Sequence, residues 1–155
     1  MSLGLETDKS RLSKFLCFLR LECVEVFKAN QDDVVERLSS KRIHVNQVGI
    51  RCRFCAHLSL KGRAGRSSTY PSSLSGIYQG VSMMIYEHFP KCDEMPVELK
   101  EKYDRLKKLT KRGDVESRSY WIDAAKEKGL IDTSPLGDAD GLSGMGIRFV
   151  RDIQT

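Results

Sequence analysis

The stretch Gly49-Ile-Arg-Cys-Arg-Phe-Cys55 places two thiols three positions apart directly after an apolar run, and the rest of the chain is best read outward from it. At that spacing a tight turn directs both sulfurs at one cation. Two sulfurs make half a site. The other half is His88-Phe-Pro-Lys-Cys92, with His88 on the last turn of an expected helix and Cys92 just past the proline that stops it. Thiolate and imidazole are donors that suit zinc, and a closed set of four leaves no open position for the activated water of a catalytic metal. Cys52, Cys55, His88 and Cys92 are therefore expected to hold one structural Zn2+. The 32 residues between Cys55 and His88 exceed the usual finger spacing, and a basic loop accounts for much of the excess. His57, in a loop close to the cysteines, stands as the reserve ligand in place of His88. The competing reading, a redox pair at Cys52 and Cys55, normally needs a helix opening at the motif, and no good helix follows here.

Around the motif the hydrophobic period changes. Ile43, Val45, Val48, Ile50 and Cys52 suggest two short strands over residues 42–52, turning near Asn46 and Gln47. Lys61-Gly-Arg-Ala-Gly-Arg-Ser-Ser-Thr69 has no periodicity and reads as an exposed, mobile loop. Pro71, Ser72 and Ser73 then open a helix whose inner face carries Leu74, Ile77, Tyr78, Val81, Met84, Ile85 and His88, so packing it on the strands brings the imidazole to the thiols.

Further out, Leu12, Phe15, Leu16, Leu19, Cys23, Val26 and Phe27 recur at helical spacing, which predicts one amphipathic helix over residues 9–30 with Arg11, Lys14, Arg20, Glu25 and Lys28 outside. Cys17 and Cys23 fall within it as small apolar residues. A short helix is expected over residues 32–38. Beyond the zinc module, Pro96 starts a charged helix over 97–112 with Leu99, Tyr103 and Leu106 inside, and Gly113 ends it. Another helix over 115–128 buries Tyr120, Trp121, Ile122 and Ala125, with Gly129 as its cap; a glycine-rich connector over 132–146 and a final strand over 147–153 complete the chain. The fold class expected is α+β: a small zinc-stapled β-hairpin plus helix (41–95), packed by N-terminal helices (8–40) and by C-terminal helices and a strand (96–155), all in a single domain.

The composition, 40% hydrophobic and 30% charged over 155 residues, is that of a soluble globular protein, with no apolar run long enough for a membrane span and no signal-peptide pattern. An intracellular setting, nucleus or cytoplasm, is expected. The net charge of +5 is unevenly spread: residues 41–112 hold 15 Lys/Arg against 6 Asp/Glu, a balance of +9, and the remainder 11 against 15, a balance of −4. A basic centre favours a polyanion. No phosphate loop, nucleophile elbow, zinc-protease helix or dinucleotide fingerprint is present, so no enzymatic activity is expected.

Three segments, Gln47-Val-Gly-Ile-Arg-Cys-Arg-Phe-Cys-Ala56, Tyr70-Pro-Ser-Ser-Leu-Ser-Gly-Ile-Tyr-Gln79 and Tyr120-Trp-Ile-Asp-Ala-Ala-Lys126, resemble a group of C2HC zinc-module proteins abundant in diatoms and related algae. That resemblance covers most of the chain and implies an architecture without an activity. More loosely, a CxxC followed by a helix-borne His and Cys is similar to BED-type fingers, which bind DNA, and to baculovirus inhibitor-repeat domains, which bind peptides. The latter have a longer His-to-Cys gap and a tryptophan-bearing middle segment that this chain lacks.

Nucleic-acid binding is the function expected, with a protein-interaction module that has no nucleic-acid role as the alternative. In the first, Arg51, Arg53, Lys61, Arg63 and Arg66 contact nucleic-acid phosphates, and Lys100, Lys107, Lys108, Lys111 and Arg112 extend the basic surface. In the second, Tyr103, Tyr120 and Trp121 present a face to a protein partner or to another copy in a homo-oligomer.

Overall fold

The computed structural model describes residues 1–37, 42–59, 62–110, 118–133 and 146–153. It is α+β, as the sequence predicts, but its central sheet is assembled differently. Helices α1 (Asp8–Arg11) and α2 (Lys14–Phe18) are short, and the Ser13 hydroxyl accepts from the Leu16 N–H to cap the second. A single π-helical turn, Leu19–Cys23, follows, and the chain then enters strand β1 (Val24–Lys28). The single helix expected over 9–30 is thus replaced. The run Val24-Glu-Val-Phe alternates as well as it spirals, and β-branched residues favour the pleated option once a partner strand exists.

That partner is β2 (Val48–Cys52), antiparallel, with Val24 opposite Cys52 and Lys28 opposite Val48. The hairpin expected within residues 42–52 therefore does not form. Val45 is exposed, Asn46 turns with φ +70°, and only the second half of the segment is a strand. Between the two paired strands lies α3 (Gln31–Glu36), whose start is fixed by a reciprocal capping box between Asn30 and Asp33. Asn30 thus opens a helix instead of ending one. Strand β3 (Ser68–Thr69) pairs with the other edge of β2, so the end of the expected loop is ordered. Gly49 has to be glycine, because a Cβ there would lie 2.8 Å from the rings of both Phe27 and Tyr70.

A 3-10 turn (Leu74–Gly76) leads into α4 (Ile77–Glu87), and the first N–H of that turn, on Leu74, is held by Asp132 Oδ1 at 2.6 Å, not by the local serines. Helix α5 (Val97–Leu109) buries Tyr103 and leaves Leu109 exposed. Helix α6 (Arg118–Glu127) buries Tyr120, Trp121, Ala124 and Ala125, and Gly129, with φ +86°, turns the chain into β4 (Leu130–Asp132). The last strand, β5 (Ile147–Phe149), is antiparallel to β4 and shorter than expected, since Val150–Asp152 coils into a 3-10 turn. No helix among the described residues is long and apolar enough to cross a membrane.

One apolar cluster takes side chains from Leu3, the α2 and π turns, β1, β2, α4, α5, α6 and β5, so the N- and C-terminal elements share a core with the cysteines. Inside it lies an ionic centre that the sequence pattern places outside. Arg20 is fully buried: its Nε donates to Asp8 Oδ2 at 2.9 Å, its Nη2 donates to the Leu3 carbonyl, and its guanidinium lies 4.4 Å over Trp121. Tyr120 also donates to Asp8. Arg20 lies on the π turn with its side chain in the core, not on the outer surface expected for it.

Candidate metal centre and the basic face beside it

Each ligand is delivered by an end of an element. Cys52 closes β2, and its N–H is held by the Ser67 carbonyl at 2.7 Å. The turn that follows is pinned by Arg53, whose N–H donates to the Cys23 carbonyl, and it brings Cys55 round beneath Cys52. His88 caps α4, and a 3-10 turn containing Pro90 (Phe89–Lys91) carries Cys92 back to it. The four residues are all buried, and their donor atoms lie within 4.8 Å of one another. Cys52 Sγ is 3.9 Å from Cys92 Sγ, which is 3.6 Å from Cys55 Sγ, and Cys55 Sγ is 3.7 Å from His88 Nε2. One metal ion could be held by this set. His57, the reserve ligand, is instead exposed, with Nε2 3.7 Å from Glu94.

The surroundings prepare these atoms for a cation. A carbonyl can only accept, so the 3.1 Å contact of His88 Nδ1 with the Gly65 oxygen puts the proton on Nδ1 and leaves the Nε2 lone pair facing the sulfurs. Burial also lowers the His88 pKa, against the pull of the Gly65 and Ala64 carbonyls, which keeps the ring neutral. Burial, and then the neighbouring Cys92 and Cys55 sulfurs, push the Cys52 thiol far up; Cys55 is pushed up to about 11 by burial and then by Cys92. Crowded thiolates without a cation repel one another in a dry site. A dication reverses that penalty, because it is the largest local charge. The Cys55 and Phe54 N–H groups also face the Cys52 sulfur and favour its anionic form.

The basic residues singled out by sequence divide into three groups. Arg51 is tied to Glu25 across the β1–β2 pair at 2.9 Å, and Lys100 donates to the Phe89 carbonyl at 2.7 Å, so both have structural tasks. Arg53, Arg66 and Lys108 are exposed, whereas Arg63 and Lys107 are half-buried. Lys61, Lys111 and Arg112 lie outside the described residues.

Arg63 and Arg66 line a cavity of about 520 Å³ between the 63–72 segment and α4. The sequence reading missed Arg37, which joins them there; its Nη2 donates to Ser68 Oγ, and its guanidinium lies 4.8 Å over the Tyr70 ring. Tyr70 is a second missed residue. Its hydroxyl is pushed up to about 12 by burial and by Asp33, against the opposing charges of Arg37, Arg63 and Arg51 that surround it. No spacing rule links positions 37, 63 and 66, which lie on separate segments and line one cavity only in the folded chain. Beside the cavity, Tyr86 stands 76% exposed on α4, next to Glu87, the partner of Arg66, and 5.8 Å from the Lys107 ammonium. Comparison with known protein families, with curated proteins and with solved structures finds no match to this chain.

Proposed function

We propose that this chain is a non-catalytic module built on one structural zinc ion, bound by Cys52, Cys55, His88 and Cys92, and that it binds nucleic acid through the arginine-rich face beside the metal. The observation that carries the metal is the spacing of the donors. With Zn–S near 2.3 Å and Zn–N near 2.05 Å, a tetrahedron has S–S edges of about 3.8 Å and S–N edges of about 3.6 Å. Three of the six donor separations, 3.9, 3.6 and 3.7 Å, lie within about 0.2 Å of those values, and all six lie within 4.8 Å. Three thiols and an imidazole in the core favour zinc over hard, oxygen-seeking cations. Reduced thiols are needed to bind it, which fits a reducing intracellular compartment.

Nucleic acid is supported by what flanks the metal. Among the described residues the cavity is lined by three arginines and by no acidic side chain. The exposed Tyr86 ring with Lys107 beside it has the make-up of a base-stacking platform set among cations. The protein-partner reading was built on Tyr103, Tyr120 and Trp121, and all three are buried in the core. The test is a titration of labelled single-stranded and duplex oligonucleotides against zinc-loaded protein at several salt concentrations. Four or five phosphate contacts predict a log–log salt slope of about −3 to −4 for a single strand. Binding that is absent, or indifferent to salt, would overturn the nucleic-acid reading and leave the zinc scaffold standing.

A further inference from the structure

We infer that the open edge of strand β3, in the cavity between the 63–72 segment and α4, takes up an extended acidic peptide as a further strand of the central sheet. The inference goes beyond the nucleic-acid reading and does not rest on it; nucleic acid keeps the surface outside the cavity, with Arg53, Tyr86 and Lys107. The ladder decides which backbone groups of β3 face outward. The Cys52 N–H donates to the Ser67 carbonyl, and Ile50 stands opposite Thr69, so Ser67 and Thr69 turn their backbone groups towards β2. In an antiparallel pair such positions alternate with ones whose N–H and C=O point the other way. Ser68, opposite Arg51, is one of these, and Tyr70 follows the same alternation. Among the described residues, no backbone partner meets the outward groups of Ser68 and Tyr70.

The two edges of the sheet differ. On β1 the edge is covered: the Met1 amine donates to the Val26 carbonyl, the Met1 carbonyl accepts from the Val26 N–H, and Ser2 bridges to Glu25. An extended segment thus already completes one side. On β3 no further strand follows among the described residues, and the edge opens into a cavity of about 520 Å³. An uncovered edge is a template for another chain, and a helix beside it supplies contacts for alternate side chains. Gln79, Gly80 and Met83 of α4 form that facing wall. Gly80 keeps the wall close, since a Cβ there would lie 2.9 Å from Thr69 Oγ1.

Charge selects the kind of peptide. Arg63 donates through Nε to the Leu58 carbonyl, and its Nη groups have no hydrogen-bond partner among the described residues. Arg66 meets Glu87 only where both side chains are largely exposed, and such pairs are weak. Arg37 is already engaged by Ser68 and the Tyr70 ring, and the selection does not call on it. With no acidic side chain among the described lining residues, a carboxylate is drawn in and an ammonium repelled. A nucleic-acid strand could answer the guanidinium groups, but it has no regular array of N–H and C=O to answer Ser68 and Tyr70. The segment leading into β3 is tied to two of the proposed metal ligands, the Gly65 carbonyl accepting from His88 and the Ser67 carbonyl from the Cys52 N–H. The edge is therefore presented on a fixed frame, which lowers the ordering cost of binding.

The experiment titrates a blocked peptide of alternating valine and glutamate into zinc-loaded, isotope-labelled protein and follows the backbone amides by NMR. The Ser68 and Tyr70 amides should move downfield and exchange more slowly with solvent, as new donors in a ladder do. The valine–lysine counterpart should bind about tenfold or more weakly. Two N-methylated forms of the glutamate peptide, one blocked at every valine amide and one at every glutamate amide, test the ladder itself. Only alternate amides of an added strand face β3, so one form should bind roughly tenfold or more weakly and the other as the parent. Ser68→Pro removes an N–H that β2 does not use, a change that edge strands tolerate, and should weaken binding at unchanged zinc content. Arg63→Glu should turn the preference towards the lysine peptide. Equal loss with both methylation patterns, or unmoved Ser68 and Tyr70 amides at about millimolar peptide, would overturn strand addition. An oligonucleotide that moves these two amides where the glutamate peptide does not would overturn the peptide assignment in favour of nucleic acid. Shifts of the same amides that grow with protein concentration alone would give the edge to a second copy of the chain and overturn it as well.

Discussion

At the metal centre, four donors from the ends of β2 and α4 and from the turns after them converge on a space that their own chemistry does not fill. At the Asp8–Arg20 centre, a carboxylate and a guanidinium 2.9 Å apart neutralise each other, helped by Tyr120 and by the Leu5 N–H. Both are polar staples within one apolar cluster. On the reading proposed above, the first depends on a cation from outside, and its failure should be complete; the second is self-contained, and its failure should be graded. A buried pair often adds little over well-packed apolar residues, yet losing one partner strands the other charge in the core.

The largest effect should come from the metal side. Chelation, or Cys55→Ser, should release the ion and unfold the chain at 25 °C, seen as loss of near-UV circular dichroism. Structural zinc contributes about 10–16 kcal/mol in small fingers, which exceeds or matches the roughly 5–15 kcal/mol net stability of a domain. Retention should also fall with acid. Cys52 and Cys55 have raised pKa values without metal, so zinc uptake must displace protons from them, and lowering the pH drives the exchange backwards. A folded, cooperative protein after chelation would erase the contrast between the two centres.

On the ionic side, Asp8→Ala should cost about 3–5 kcal/mol by leaving Arg20 buried and unpaired, with zinc content unchanged. Urea denaturation measures the loss, and a cost under about 1 kcal/mol would mean that the pair is not a staple at all. Tyr120→Phe removes one hydrogen bond to the same carboxylate and should cost about 1.5–3 kcal/mol. The smallest effect is expected at Arg66→Gly, within about 1 kcal/mol of the parent or slightly stabilising, because glycine adopts its φ without strain.

The same contrast explains what could be read from sequence. Metal ligands come as local pairs, because one turn must aim two donors at one ion, and so Cys52-x-x-Cys55 and His88-x-x-x-Cys92 are visible as spacings. The inner face of α4 is equally local, and Leu74, Ile77, Val81, Met84 and Ile85 are buried as their period predicts. Non-local partners leave no such trace. Val24 and Val26 fit a helix until β2 is known to lie beside them, and β1, one of the two strand partners of β2, comes from before α3, not from across a local turn. Arg20 looks like a surface residue because Asp8 and Trp121, which make its burial tolerable, lie on other elements. Asp132 caps the segment opening α4 from 58 residues away.

The central claim is tested most directly by measuring metal content, by plasma mass spectrometry, on protein purified without added metal, alongside His88→Ala and Asp8→Ala. The account predicts about one zinc per chain in the parent and in Asp8→Ala, and none in His88→Ala, which removes one ligand of a closed set of four. A folded parent that contains no zinc, or a His88→Ala variant that keeps its full complement, would contradict it.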